Sequence, residues 1–164
     1  MEQNKTSYVL GVLRIMMGWI FLWAFIDKLF GLGFGTVAEK AWLLGSSPTA
    51  GFLKFGVHGP FASFYQGLAG SPVVDWLFML GLLFIGASLI LGIFVKLGGF
   101  SAIILLFLMY TAVGMSPENN PFLDDHIIYI VVIILLILTN SGKYLGFGEW
   151  WNNTSLVKKF SLFR

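Results

Sequence analysis

A chain of 164 residues that is 57% hydrophobic and only 11% charged falls far below the roughly 25% charged content of a soluble domain. Its formal net charge of +2 says little, because the placement of the charges matters more than their sum. The absence of cysteine excludes disulfides, thiol redox chemistry and cysteine-ligated metal or iron–sulfur centres.

The length suits one domain and the apolar residues fall in long runs, so an all-α integral membrane protein is expected. The short polar start, Met1 to Ser7, leads into an apolar run over residues 8–30. That run is too long for a signal-peptide core and no small-residue cleavage site follows it, so it reads as a retained first transmembrane helix. Arg14, Asp27 and Lys28 interrupt it. At 1.5 Å per residue, Arg14 and Lys28 lie roughly 21 Å apart along the axis. They share one stripe with Gly11, Gly18, Phe21 and Phe25, while Asp27 lies off it, over Trp23 and toward Ile20. An isolated charge at such depth is costly unless it is paired or snorkels. Either the stripe faces the bundle interior or a polar cavity, or Arg14 and Lys28 reach opposite headgroup layers.

Residues 31–72 form a loop longer than an ordinary connection. It is rich in Trp42, Leu43, Leu44, Phe52, Phe55, Phe61, Phe64 and Tyr65, and glycines and prolines divide it into short pieces. Residues 36–44 and 61–69 each have the makings of a short amphipathic helix. The expectation is a structured cap on the outer face, with aromatics at headgroup level.

Apolar runs over residues 73–95 and 97–115 supply the second and third helices. A small turn at residues 96–99 is expected to join them as antiparallel neighbours. Gly81, Gly86, Ser88 and Gly92 allow close helix approach, and Ser88 with Gly92 makes a small-xxx-small pair. Met79, Phe107 and Met109 read as packing. The fourth helix, over residues 123–140, is shorter but almost continuously aliphatic. The expected fold is a four-transmembrane-helix bundle, a single domain over residues 1–164, with a long structured loop between helices 1 and 2.

Charge gathers at the mouth of the fourth helix, where Glu118 precedes Asp124, Asp125 and His126. Acids are favoured in a first helical turn and can cap free backbone N–H groups, which accounts for Asp124. Capping does not account for His126, because a protonated imidazole is disfavoured there. Tyr129 follows Asp125 by four residues and His126 by three, so these side chains can touch. An Asp–His–Tyr cluster can accept and release protons near neutral pH. The first helix ends on the same side of the membrane. Asp27, Lys28, Glu118, Asp124, Asp125 and His126 can therefore meet under the loop, with Lys54 and His58 reaching in from above. One histidine and no recognisable ligand spacing leave a metal site unexpected.

The tail, residues 142–164, sets Trp150, Trp151, Leu156, Val157 and Phe160 beside Lys158, Lys159 and Arg164. It reads as an interfacial anchor on an anionic cytoplasmic leaflet. The sequons at Asn152 and Asn153 fall on that side and read as chance. With both termini inside, the cytoplasmic side carries Lys5, Lys96, Lys143, Lys158, Lys159 and Arg164. The opposite side carries Lys28, Lys40 and Lys54 and collects Asp27, Glu39, Asp75, Glu118, Asp124 and Asp125. That distribution implies cytoplasmic N- and C-termini in a multi-pass plasma-membrane protein. No phosphate loop, nucleophile triad, nucleotide fingerprint or nucleic-acid patch is present.

The first-helix segment from Leu13 through Arg14, Gly18 and Phe21, followed by Asp27 and Lys28, resembles the DoxX family of four-helix membrane proteins. Trp23 to Gly31, taken with Asn120-Pro121-Phe122-Leu123-Asp124-Asp125-His126, is most similar to its DoxD-like branch. The resemblance implies a membrane subunit of thiosulfate:quinone oxidoreductase, which oxidises thiosulfate to tetrathionate and passes electrons to quinone. It implies a quinone cofactor and a second protein subunit. In that setting Asp125, His126, Asp124, Tyr129, Asp27 and Lys28 are the candidate catalytic and proton-handling residues. Arg14, Lys54, His58 and Glu118 are the candidates for binding a small sulfur oxyanion. Two other readings stay open. One is a small transporter or channel, with the Arg14–Lys28 stripe lining a path completed by a homo-oligomer. The other is a scaffold that holds a soluble redox partner at the bilayer.

Overall fold

The structure, a computed structural model, describes residues 2–115 and 121–160. Among these residues every regular element is helical. Helix α1 runs Glu2–Phe30, α4 Pro72–Leu91 and α5 Val95–Ala112; each contains a stretch long and apolar enough to cross a membrane. That gives the chain the build of a multi-pass membrane protein, in which helices satisfy their own backbone groups. Helix α6, Asp125–Leu138, has 14 residues, about 21 Å of rise against a hydrocarbon core of roughly 30 Å.

The long helices pack in sequence: α1 against α4, α4 against α5, and α5 against α6, with α6 returning to α1. Their shared core includes Met17, Phe21, Met79, Leu82, Ile85, Leu89, Ala102, Leu106, Ile133 and Leu136. Glycine allows the closest approach. A Cβ on Gly86 would stand 2.7 Å from the Leu22 backbone nitrogen, so α1 and α4 touch backbone to backbone there.

The ends differ from the sequence expectation in instructive ways. The turn between α4 and α5 is not at residues 96–99, which are helical. It lies at Gly92 and Phe94, both left-handed with φ of 75° and 54°. Gly98 and Gly99 are packing positions, where a Cβ would meet Ser88 Cβ and Ile137 Cδ1 at 2.7 Å each. The small partner of Ser88 is thus Gly98, while Gly92 terminates its helix. Helix α6 starts at Asp125 because the Asp124 carboxylate accepts from Ile127 N at 3.1 Å as an N-cap. It ends before Asn140, which is left-handed.

The loop between α1 and α4 is a folded cap. It holds 3-10 turns at Ala38–Lys40 and Trp42–Leu44, then helices α2, Ala50–Phe55, and α3, Ala62–Gly67. The expected helix over 36–44 is therefore two 3-10 turns, and α2 is an additional element. Leu53, Val57 and Tyr65 form a satellite core with Ala112 at the end of α5. After α6, a 3-10 turn at Ser141–Lys143 precedes short helices α7, Gly148–Asn152, and α8, Ser155–Lys159. This tail docks on the α4–α5 turn: Phe147 N donates to Leu91 O at 2.9 Å, and Trp151 packs on Phe94 at 4.5 Å.

Candidate functional site

Antiparallel packing puts the C-terminal ends of α1 and α5, the N-terminal ends of α4 and α6, and the cap at one end of the bundle. Asp27, Lys28, Lys54, His58, Asp124, Asp125, His126 and Tyr129 all lie at that end. Arg14 lies at the other. Glu118 lies outside the described residues.

Beneath the cap is a cavity of about 650 Å³. Pro48, Thr49, Phe52 and Leu53 roof it; Phe78 and Ile85 of α4 and Ser101 and Met109 of α5 are among its walls. Leu77, Ile104 and Leu108 also line it and are exposed, so the cavity opens on the apolar flank of the bundle. Lys28 is the charged residue in the lining. It is half-buried, and no hydrogen bond or salt bridge joins it to another described residue. A volume of this order, apolar with few polar groups, fits the range of about 300–1,000 Å³ typical of ligand sites.

The roof is latched to the helices by polar bonds. Asp75, buried in the first turn of α4, accepts at the same oxygen from Ser47 Oγ at 2.8 Å and Thr49 Oγ1 at 2.6 Å. Ser47 Oγ in turn accepts from Ala50 N at 3.0 Å, fixing the start of α2. Tyr65 of α3 and Thr111 of α5 share a buried hydroxyl bond of 2.6 Å. Sequence reasoning counted Asp75 as one outer acid among several. Its position just inside a helix start at Pro72 is legible in the sequence; its pairing with Ser47 and Thr49, 28 and 26 residues away, is not.

Asp27 is committed to the chain itself. Its carboxylate accepts from Phe34 N at 3.1 Å, Gly35 N at 2.9 Å and the Thr36 side chain. These bonds fold the exit of α1 into the cap. Arg14 is fully buried: Nη1 donates to Ser141 O at 2.9 Å and Nη2 to Leu145 O at 3.0 Å. The Arg14–Lys28 stripe does face inward at Gly11, Arg14, Gly18 and Phe21, and Lys28 reaches the cavity.

No family model, curated protein or solved structure matches the chain.

The Asp-Asp-His group is smaller than the spacing suggested. Asp124 Oδ2 and His126 Nδ1 are 2.6 Å apart, while Asp124 Oδ1 caps the helix. One carboxylate therefore serves as cap and as imidazole partner. Asp125 is exposed, and Tyr129 packs against the core. No hydrogen bond or ion pair links this group to Asp27 or Lys28 among the described residues, and none of it lines the cavity. Lys54 and His58 are exposed on the cap. Among the described residues no cluster of three His, Asp or Glu side chains is placed to hold a metal.

Proposed function

We propose that the chain is the membrane-embedded, quinone-binding subunit of an oxidoreductase, the reading its DoxD-like sequence features imply. The observation that carries it is the cavity under the cap, apolar throughout except for a few hydroxyls and one ammonium that makes no hydrogen bond to another described residue. Quinone, when bound, supplies the two-electron, two-proton acceptor that a chain without cysteine lacks. Phe52, Phe78 and Met109 would hold a flat ring, and Lys28 would donate to a carbonyl oxygen, where a charged donor is worth more than a neutral one. The open edge at Leu77, Ile104 and Leu108 gives an isoprenoid tail a way into lipid. The latches at Asp75 and Thr111 keep the roof closed and exclude water. His126, set against Asp124, is the proton-exchanging group at the same end, with Asp125 exposed beside it.

We place the cap on the outer face of the plasma membrane and both termini in the cytoplasm, following the lysine and arginine distribution. In this arrangement α6 is a short fourth span. Its exposed Ile128, Val131, Ile134, Leu135 and Leu138 support that placement, and local bilayer thinning accommodates the mismatch. Thiosulfate is the proposed electron donor. Exposed Phe34 and Phe55 on the cap, with Lys54 and His58, suit the docking of a soluble second subunit. The transport reading gains nothing from the cavity, which ends at Ile85 and Ser101 and takes no lining residue from the Arg14 end.

The test is extraction of the purified protein with solvent and mass analysis of co-purified lipids. The expected result is quinone at near-stoichiometric level, reduced about tenfold by Lys28→Met, and thiosulfate-dependent quinone reduction impaired by Asp125→Asn or His126→Ala. Phospholipid in place of quinone, or quinone indifferent to Lys28, overturns the proposal.

A further inference from the structure

The end of the bundle opposite the cap carries a second, smaller cavity of about 210 Å³, lined by Ser7, Tyr8, Lys143, Tyr144 and Leu145. One face of α1 builds it. Ser7, Gly11 and Arg14 follow one another at spacings of four and three, so they stack on one side of the helix. Gly11 keeps that side open: a Cβ there would stand 2.9 Å from the Tyr144 carbonyl oxygen. The chain at Tyr144 and Leu145 therefore lies directly on the helix. Leu145 is left-handed, with φ of 52°, a strained state for a leucine. The bond from Arg14 Nη2 to its carbonyl pins it there.

The cleft is lined by donors. Lys143 brings an ammonium, Tyr8 and Tyr144 bring phenolic hydroxyls, the Ser7 hydroxyl is bonded to Tyr144, and no carboxylate lines the cleft among the described residues. The Ser7 hydroxyl, first, and then Lys143 hold the Tyr144 hydroxyl below the ordinary tyrosine pKa. Lys143 Nζ stands 4.8 Å from the centre of the Tyr144 ring. Immediately behind the Leu145 backbone is the buried Arg14 guanidinium, with no carboxylate paired to it among the described residues. Its field reaches the cleft through protein rather than water, where screening is weak. An ammonium, two tyrosine hydroxyls and a second cation behind a thin wall are complementary to a phosphate oxyanion.

We propose that this cleft binds the phosphate of a membrane phospholipid. The surroundings favour a lipid phosphate over a free one. Exposed Val12 follows Tyr8 by one turn of α1, and Leu145 is exposed at the rim of the cleft, so acyl chains have apolar surface to follow. The site is independent of the quinone cavity, which lies under the cap.

The test uses the full-length protein, with native mass spectrometry of retained phospholipid in the presence and absence of inorganic phosphate. Lys143→Gln should reduce retained lipid about fivefold, the factor that one basic residue contributes at an anionic membrane surface, and Tyr144→Phe should reduce it by about as much, the factor for one lost hydrogen bond. Lys143→Arg should restore it, and the double change Lys158→Gln with Lys159→Gln in the tail should leave it unaltered. Tyr144→Phe keeps the charge and should keep the melting temperature, so it separates a specific site from general attraction. Equal losses in the tail variant, with no effect of Tyr144→Phe, overturn the site. Retention of inorganic phosphate with no lipid overturns the lipid assignment.

Discussion

Replacing Arg14 by methionine removes a buried cation that holds two backbone segments together. The guanidinium donates to Ser141 O and Leu145 O at 2.9 and 3.0 Å. Hydrogen bonds from a charged group contribute about 1.5–3 kcal/mol each, so the pair is worth roughly 3–6 kcal/mol. Two effects reduce the loss: the variant no longer desolvates a charge, and methionine fills much of the space. The net cost is about 3 kcal/mol, the lower end of what breaking a buried charged contact costs. The damage should be local. Asn140 and Leu145 are both held in left-handed conformations, and release of Arg14 lets them relax. A Cβ on Gly92 or Gly146 would collide with the guanidinium, and one on Gly142 would collide with the Gly92 carbonyl, so glycine at all three positions leaves the space that Arg14 fills. Thermal unfolding in detergent should drop by about 6–12 °C, at roughly 2–4 °C per kcal/mol for a chain of this size. Amide exchange over residues 141–148 should accelerate while the cap is unaffected. Arg14→Lys, with one donor centre for two carbonyls, should lose about half as much. An unchanged melting temperature with unchanged exchange, but lost activity, would refute this reasoning and return Arg14 to substrate binding.

Asp75→Ala removes the acceptor shared by Ser47 and Thr49; it should cost about 2 kcal/mol, raise amide exchange over residues 47–55 and reduce ligand retained in the cavity. Asp124→Ala should cost about 1 kcal/mol through the lost N-cap, and nuclear magnetic resonance of the imidazole should show His126 released from its 2.6 Å partner. Gly86→Leu pushes a side chain into the Leu22 backbone; the overpacking cost of about 3 kcal/mol or more should show as lost folded yield.

Much of this architecture was legible because lipid-facing helices leave a strong one-dimensional trace. The inward stripe through Arg14, Gly18 and Phe21 follows from helical period alone. The Asp124 cap follows from an acid at the edge of an aliphatic run. Glycine is where the reading failed, because it serves opposite purposes. Gly92 ends a helix and Gly98 lies inside one, and only the facing Ser88 side chain distinguishes the second. The cavity and its roof were hidden for a different reason. Ser47, Thr49 and Asp75 meet across more than 25 residues of chain, and Tyr65 meets Thr111 across 46. Such partners carry no periodic signal. The expected union of Asp27-Lys28 with Asp124–His126 was a statement about which end of the bundle they share; each aspartate instead found its partners within a few residues, where backbone N–H groups need acceptors.

That division of labour among the charges singles out Lys28. Arg14, Asp27, Asp75 and Asp124 are each tied to backbone groups, hydroxyls or an imidazole. Lys28 is half-buried with no hydrogen bond to another described residue, and the attraction of the neighbouring Asp27 carboxylate offsets only part of the desolvation of its ammonium. An oxygen brought by a ligand would offset the rest. Lys28→Met should therefore act in opposite directions on two measurements. The ligand-free protein should melt higher, because a charge whose desolvation is only partly offset has been replaced by apolar surface in an apolar cavity. Quinone retention should fall about tenfold, equivalent to about 1.4 kcal/mol. This is the stability–function opposition expected of a binding group and not of a structural one. A variant that melts lower while retaining its ligand would assign Lys28 to the fold and remove the cavity's polar anchor from the argument.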